Sequence, residues 1–210
     1  MPVDRLTPDR RRELTRSALV EAAAEMFALQ GFHGASLDEI ADAAGFTRGA
    51  IYSNFKGKED LFLAVLERYS ERQLEAFAGA LEPGETWSVS KRAEAAAAVW
   101  RQFVHRDRTM LLLSLELRIY AMRNPEFRRR LVEMHRRQEE RIGALVAQEA
   151  ERQGLTMRLE PRDFGLLAWA TSEGLQQVAG VDDEDPERYD RLAELFFNLL
   201  GNAVLEPDAP

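Results

Sequence analysis

Between Arg48 and Lys58 the chain sets a guanidinium, a phenol, a hydroxyl and two ammonium groups along one short stretch. Arg48 carries a planar fork of N–H donors that matches the O6 and N7 acceptors of guanine in a major groove. Gly49 beside it has no side chain to hold a helix away from a duplex. Tyr52 and Ser53 can bond a phosphate or touch a base edge. Lys58 stands where a helix should begin, so its charge and the unpaired N–H groups of a first turn suit the same kind of oxyanion. Lys56 offers a second ammonium, and Ser36 and Thr47 offer hydroxyls. Taken singly, each has an ordinary explanation: a solvated arginine, a packed tyrosine, solubilising lysines, hydroxyls that only cap helices. Contact with nucleic acid is the better reading of Arg48, Tyr52 and Lys58 because they fall within one structural unit. Ser53 and Lys56 stay open between the two readings.

The surrounding residues specify such a unit. Ser36 precedes an apolar run and Glu39 follows three positions on, the spacing of a capping box. Ile40, Ala41 and Ala44 form the apolar side of a short helix, with Ala41 small where a second helix must cross. Gly45 can take the positive φ of a tight turn. Phe46 helps fill the joint and Thr47 is placed to cap the next helix. There Ala50, Ile51 and Phe55 can turn inward, leaving Arg48, Gly49, Tyr52 and Ser53 nearer one outer side. A short helix, a glycine turn and a second short helix in this order make a helix-turn-helix, which presents its second helix to the major groove.

Helical periodicity runs through the rest. Thr7 can cap a first helix with Pro8 at its first position, and Leu14, Ala18, Ala22 and Met26 recur at helical spacing until Gly31 stops it. Beyond short helices near 37–44 and 48–54, the pattern predicts helices near 58–81, 91–105, 108–123, 126–153, 161–179 and 186–205. Pro83 and Gly84 mark Glu82 to Ser90 as an interdomain connector. In the long helix Phe127, Leu131, Met134, Ile142 and Leu145 are expected to face inward, with Arg129/Glu133 and Arg136/Glu140 pairing across the wet side. Asp182 to Asp185 reads as an acidic loop, with Asp185 a candidate cap for the last helix. No strand alternation competes, so the expected fold class is all-α.

The segment Ala18 to Leu66 resembles the tetracycline-repressor (TetR/AcrR) family of bacterial regulators. The resemblance lies in the AAxxxFxxxGF pattern ending at Phe32, the Ser36-Leu37-x-x-Ile40-Ala41 run and the Ala44-Gly45 turn. It continues through Thr47-Arg48-Gly49-Ala50-Ile51-Tyr52-x-x-Phe55 and Lys58-Glu59-x-Leu61. Together these pieces are specific for the family's DNA-binding domain, which covers about the first third of the chain. The resemblance implies a three-helix amino-terminal domain over 8–57 and a mainly six-helix ligand-binding and dimerisation domain over 58–206, starting with the connecting helix. It places Arg48, Gly49, Tyr52 and Ser53 on the recognition helix and Lys58 at the usual phosphate contact. Ser36 stands where threonine is also common and keeps the hydroxyl.

A regulator of that kind is expected to bind double-stranded operator DNA as a homodimer and to respond to a small-molecule effector. The last two helices supply the dimer candidates: Phe164, Leu167, Ala168, Thr171 and Leu175 on one, Leu192, Phe196, Leu199, Leu200 and Val204 on the other. A monomeric bundle burying the same residues is the competing reading. Trp100, Phe103, Leu113, Leu117, Tyr120 and Trp169 could line an apolar cavity, with Glu116, His105 or Glu173 as a polar anchor. Ordinary packing explains each of these aromatics and takes precedence, and a hydrogen bond between Glu116 and Tyr120 competes with ligand binding. Trp87 could serve a lid or domain contact, and the Arg128-Arg129-Arg130 cluster could bind an anion or distal DNA, although its neighbours Glu126 and Glu133 favour a solvent-facing helix surface.

Composition bounds the alternatives. The 210 residues hold 28 Lys+Arg against 36 Asp+Glu, a net charge of -8, which argues against a diffuse, charge-driven nucleic-acid binder but not against a local recognition element. Residues 155–210 carry 4 basic and 12 acidic side chains, so most of the excess lies away from the proposed reading helix. Zero Cys excludes a disulfide scaffold, a thiol nucleophile and a Cys-based zinc finger. The scattered His33, His105 and His135 suggest no metal, and no cofactor is expected. No apolar run approaches the ~20 residues of a membrane span, so a cytoplasmic protein without a membrane partner is expected. A helical enzyme using Glu116, His105, Asp107 and Tyr120 would lack any compact catalytic signature, and an activator with the same DNA head cannot be told from a repressor by these residues.

Overall fold

The computed structural model describes residues 7–80, 88–104, 108–182 and 184–207. Among them run helices α1 (Pro8–Gly34), α2 (Leu37–Ala43), α3 (Arg48–Asn54), α4 (Lys58–Ala80), α5 (Val89–Val104), α6 (Arg108–Arg123), α7 (Pro125–Arg152), α8 (Pro161–Ala179) and α9 (Pro186–Val204). Strands β1 (Leu155–Met157) and β2 (Leu205–Pro207) complete the order. The architecture is all-α, with helix-turn-helix elements in α1–α3 followed by a helical bundle in α4–α9. The helix starts follow from local chemistry. Thr7 Oγ1 accepts the Arg10 N–H at 3.2 Å and the Asp185 carboxylate accepts the Arg188 N–H at 3.0 Å, each just ahead of a proline in the first turn.

The described residues up to Tyr69, together with Leu112–Leu131, form one compact unit. Its interior is aromatic. Phe27 and Phe62 are fully buried and meet edge-on at 4.8 Å, Phe32 stacks on Phe62 at 4.7 Å, and Tyr120 touches Phe32 and Phe127 at 5.1 Å each. Ile40 and Ile51, also fully buried, seat α2 and α3. Truncating Phe27 or Phe62 to alanine would destabilise by about 3–5 kcal/mol. Gly31 stops the regular turns of α1 as expected, through a backbone of φ 73 and ψ 172.

The described residues of Ser70–Leu111 and those from Val132 onward form a second unit. Trp100, Tyr189 and Ala193 make one buried cluster against Leu175, Ala179 and Phe197. Phe164, Ala168 and Val204 make another, covered by Ile142, Val146, Met157, Leu159, Leu200 and Leu205. The connector expected at Glu82 to Ser90 falls largely on residues outside those described, as do Trp87, Asp183, and the candidates His105 and Asp107.

Some sequence expectations require correction. On α1 the buried residues are Leu19, Val20, Ala22, Ala23, Phe27 and Phe32, while Leu14 is 45% exposed. A strict four-residue repeat drifts ~40° per step around a helix of 3.6 residues per turn, so Leu14 leaves the inner face that Ala22 occupies. On α7, Phe127, Leu131 and Met134 are buried, but Ile142 and Leu145 only half so. Glu133 there pairs with Arg137 at 3.3 Å, not with Arg129. A two-stranded antiparallel ladder joins Leu155 to Pro207, Thr156 to Glu206 and Met157 to Leu205, although no strand was expected. Three residues are too few to show an alternation, and only the fold brings the two segments side by side.

Candidate nucleic-acid interface

The first helix of the motif is held by the expected capping box. Ser36 Oγ accepts the Glu39 N–H at 3.2 Å, and a Glu39 carboxylate oxygen accepts from the Ser36 hydroxyl at 2.7 Å and the Ser36 N–H at 3.1 Å. The hydroxyl first, then the backbone N–H, hold the Glu39 carboxyl below its ordinary value. Gly45 takes φ 73, and the chain turns so that the Phe46 N–H returns to the Ala41 carbonyl at 2.9 Å. Thr47 follows as the N-cap residue of α3, but its side chain makes no cap hydrogen bond, contrary to expectation. Its carbonyl instead accepts the Ala50 N–H at 2.9 Å, which leaves the hydroxyl on the exposed side.

The period of α3 then sorts its faces. Ile51 and, just past the helix, Phe55 are buried, whereas Arg48, Gly49, Tyr52 and Ser53 are exposed. Arg48 is held in place: Nη1 meets the Asp38 carboxylate at 2.8 Å, Nη2 donates to the Tyr52 hydroxyl at 3.2 Å, and the guanidinium lies 5.6 Å from the Tyr52 ring centre. The Tyr52 bond, with Asp38 behind it, raises the arginine above its ordinary value. Two neighbours thus engage Arg48 on the exposed side of α3.

Lys58 begins α4. Its Nζ donates to the His33 carbonyl at 3.2 Å and sits 5.0 Å from the centre of the Phe32 ring, and partial burial lowers its pKa. Two carboxylates in the same helical turn would oppose a phosphate, but each is engaged within the unit. Glu59 accepts the Tyr120 hydroxyl, which raises the Tyr120 pKa, and Asp60 pairs with Arg130 and accepts the Lys56 N–H at 3.0 Å. Lys56 itself is exposed.

Several participants were not legible in advance. Asp38, the partner of Arg48, carries no sequence signal beyond that of an acid in a first helical turn. Arg12 and Arg16 on α1 reach the end of α3, donating to the carbonyls of Ser53 at 3.3 Å and Asn54 at 3.0 Å. Their one available signal was a basic pair at i and i+4 within an Arg-rich stretch, which alone reads as a solvated face.

Comparison with known proteins finds similarity centred on this segment. The model of the tetR family of bacterial regulatory proteins matches residues 19–65, the span from the core of α1 through both motif helices into α4. Residues 19–65 are thus similar to the amino-terminal segment of that family. Among curated relatives, the HTH-type transcriptional activator FasR of Mycolicibacterium smegmatis is 36% identical over 96 residues, covering 46% of this chain and 43% of that protein. Alignments with the curated relatives span about half of their length or less. Likeness of fold extends further. Salmonella enterica GusR superposes with a TM-score of 0.64 at 25% identity, over 94% of this chain and 98% of that one. FadR of Bacillus subtilis, solved in complex with stearoyl-CoA, gives 0.65 at 19% identity over 88% and 96%.

The remaining candidates divide between the two units. Leu113, Glu116, Leu117 and Tyr120 belong to the first, Trp100, Phe103, Trp169 and Glu173 to the second. Glu116 and Tyr120 do not bond each other: Glu116 accepts the Phe32 N–H at 2.7 Å, and Tyr120 donates to Glu59. Leu113 and Leu117 are buried, as is Trp100, whose indole N–H donates to the Ser172 carbonyl at 3.2 Å. Trp169 lies 4.6 Å from the His135 ring, and Phe103 and Glu173 are half-buried. The dimer candidates also separate. Phe164, Ala168 and Val204 are buried within the single chain and Leu175 packs against the cluster of Trp100, Tyr189 and Ala193, whereas Leu167, Leu192 and Leu199 are exposed. Thr171, Phe196 and Leu200 are half-buried. Val178 and Leu195 are exposed too, and sequence reading did not single them out. Among the described residues, no helix is long and apolar enough to cross a membrane.

Proposed function

We propose that the chain is a sequence-specific DNA-binding transcriptional regulator, acting in the cytoplasm as a homodimeric repressor that a small-molecule effector releases from its operator. The observation that carries this reading is the exposed face of α3, on which a capping box, a positive-φ turn and buried Ile51 leave Arg48, Gly49, Tyr52 and Ser53 outward. In this reading residues 8–57 are the DNA-binding domain and 58–206 the ligand-binding and dimerisation domain. Arg48 reads a base edge. Lys58 clamps a phosphate, with Ser36, Thr47 and Lys56 as backbone contacts. Purified protein should protect a short inverted repeat, and absence of selective protection across a genomic fragment library would reject the proposal.

Exposed Leu167 and Val178 on α8, and Leu192, Leu195 and Leu199 on α9, support a face that a second copy covers. A C2 dimer would set two α3 helices in successive turns of one DNA face, about 34–36 Å apart. That a regulator of the same fold holds stearoyl-CoA supports an effector site in the helical remainder, with Trp100, Phe103, Trp169 and Glu173 the residues to substitute first. The effector would act by population shift, favouring a placement of the two heads that fits the operator poorly, with a coupling of about 1–3 kcal/mol. Equal operator affinity with and without saturating effector would reject that mechanism. Similarity to an activator favours a second reading, activation with the same head. Target transcription in a deletion strain separates the two: a rise means repression, a fall activation.

A further inference from the structure

We infer that Arg12 and Arg16 of α1 are positioning residues for sequence recognition, latching the end of α3 from outside that helix. The inference rests on α3 being the helix that reads DNA. A helix of seven residues (Arg48–Asn54) is too short to hold itself, and its last carbonyls have no partner along the helix. No cation lies in its own last turn to complement the negative end of its dipole. α1 supplies that charge from another element. Arg12 Nη2 donates to the Ser53 carbonyl at 3.3 Å and Arg16 Nη1 to the Asn54 carbonyl at 3.0 Å, while the Arg16 guanidinium lies 4.3 Å from the centre of the Phe55 ring. Phe55 is buried as the residue ending α3, so Arg16 grips both the last carbonyl and the ring that anchors the turn after it. Buried Ile51 and Phe55 seat α3, but so few packed side chains leave the helix some freedom to roll. Two guanidiniums one turn apart on α1 remove that freedom and set the direction in which Arg48 and Tyr52 face.

The alternative role for these arginines is direct contact with DNA phosphates, and the two roles give opposite signatures. The protein and its Arg16→Met, Arg12→Met/Arg16→Met and Arg16→Gln variants are titrated against cognate and scrambled duplexes across a salt series. Amide exchange of Ala50 to Phe55 is measured without DNA. Glutamine loses the charge but keeps an N–H donor for the Asn54 carbonyl. A latch predicts that the double variant loses about tenfold on the cognate duplex, with scrambled-duplex affinity and salt slope unchanged and α3 amides exchanging faster. Arg16→Gln should recover most of what Arg16→Met loses. Parallel loss on both duplexes with the salt slope falling by about one per arginine would make these residues phosphate contacts and overturn the inference. So would unchanged discrimination with unchanged exchange. If the unsubstituted protein shows no sequence preference, α3 fails as a reading helix, a result that the amide-exchange comparison keeps separate from failure of the latch.

Discussion

Replacing Gly31 with alanine should loosen the amino-terminal unit through one identifiable contact. Gly31 takes φ 73 and ψ 172, a combination that side-chain-bearing residues adopt only under strain of about 1–3 kcal/mol. A Cβ there would fall 2.9 Å from Glu116 Oε1 and 3.2 Å from Oε2. The carboxylate ends a flexible side chain and can swing away, but it would then release the Phe32 N–H that it accepts at 2.7 Å. A part-buried bond to a charged acceptor contributes about 1.5–3 kcal/mol, so Gly31→Ala should destabilise by about 3–5 kcal/mol in all. Glu116→Ala alone should lose the bond without the strain, about 1.5–3 kcal/mol. In the double variant the bond can be lost only once and the clash disappears, so its destabilisation should fall short of the sum by about the value of that bond. Urea unfolding followed by circular dichroism measures the cycle. All four proteins must be held at one concentration, because any self-association would make apparent stability depend on it. Additivity to within about 0.5 kcal/mol would show that the Glu116 carboxylate does not depend on the bare Cα of Gly31, and the reasoning would fail.

Three further outcomes are expected. Arg48→Ala should flatten the preference between cognate and single-substituted operators by about tenfold or more, whereas Lys58→Ala should weaken cognate and scrambled duplexes alike and lower the salt slope by about one. Unchanged preference in a folded Arg48→Ala protein would remove Arg48 from the base-reading set. Leu199→Glu, at a side chain 60% exposed in the single chain and present twice in a C2 interface, should raise the dimer dissociation constant about a hundredfold in sedimentation equilibrium, and an unchanged constant would exclude that face. Phe196→Glu is a poorer probe, because Phe196 is half-buried and touches Phe197 at 5.3 Å. The lowered Glu39 pKa means that its capping box stabilises the fold above the ordinary value of 4.5 and loses that contribution as pH falls through the lower folded value. Glu39→Gln should therefore remove part of the acid-side slope of stability, and a superimposable pH profile would count against the box.

What the residues determined by themselves was local. Ser36 with Glu39, Gly45, Thr7 with Pro8 and Asp185 with Pro186 mark their elements because a cap or turn is decided by atoms within a few positions of each other. The exposed face of α3 followed equally from a period of 3.6 and the burial of Ile51 and Phe55. Pairings over long separations were beyond that reach. Glu116 was marked as a possible ligand anchor and Tyr120 as its partner, yet one accepts from Phe32 and the other donates to Glu59, because only packing decides which polar groups meet. Phe164, Ala168 and Val204 carried the same apolar signal as Leu167 and Leu199, and burial separated them. Hydrophobic spacing shows that a face must be covered without showing what covers it, whether another helix of the same chain or a second copy. The grip of Arg12 and Arg16 on α3 belongs with these. Two arginines one turn apart are solvated or structural according to what the fold brings within 3.5 Å of them, and here it brings the carbonyls that end α3.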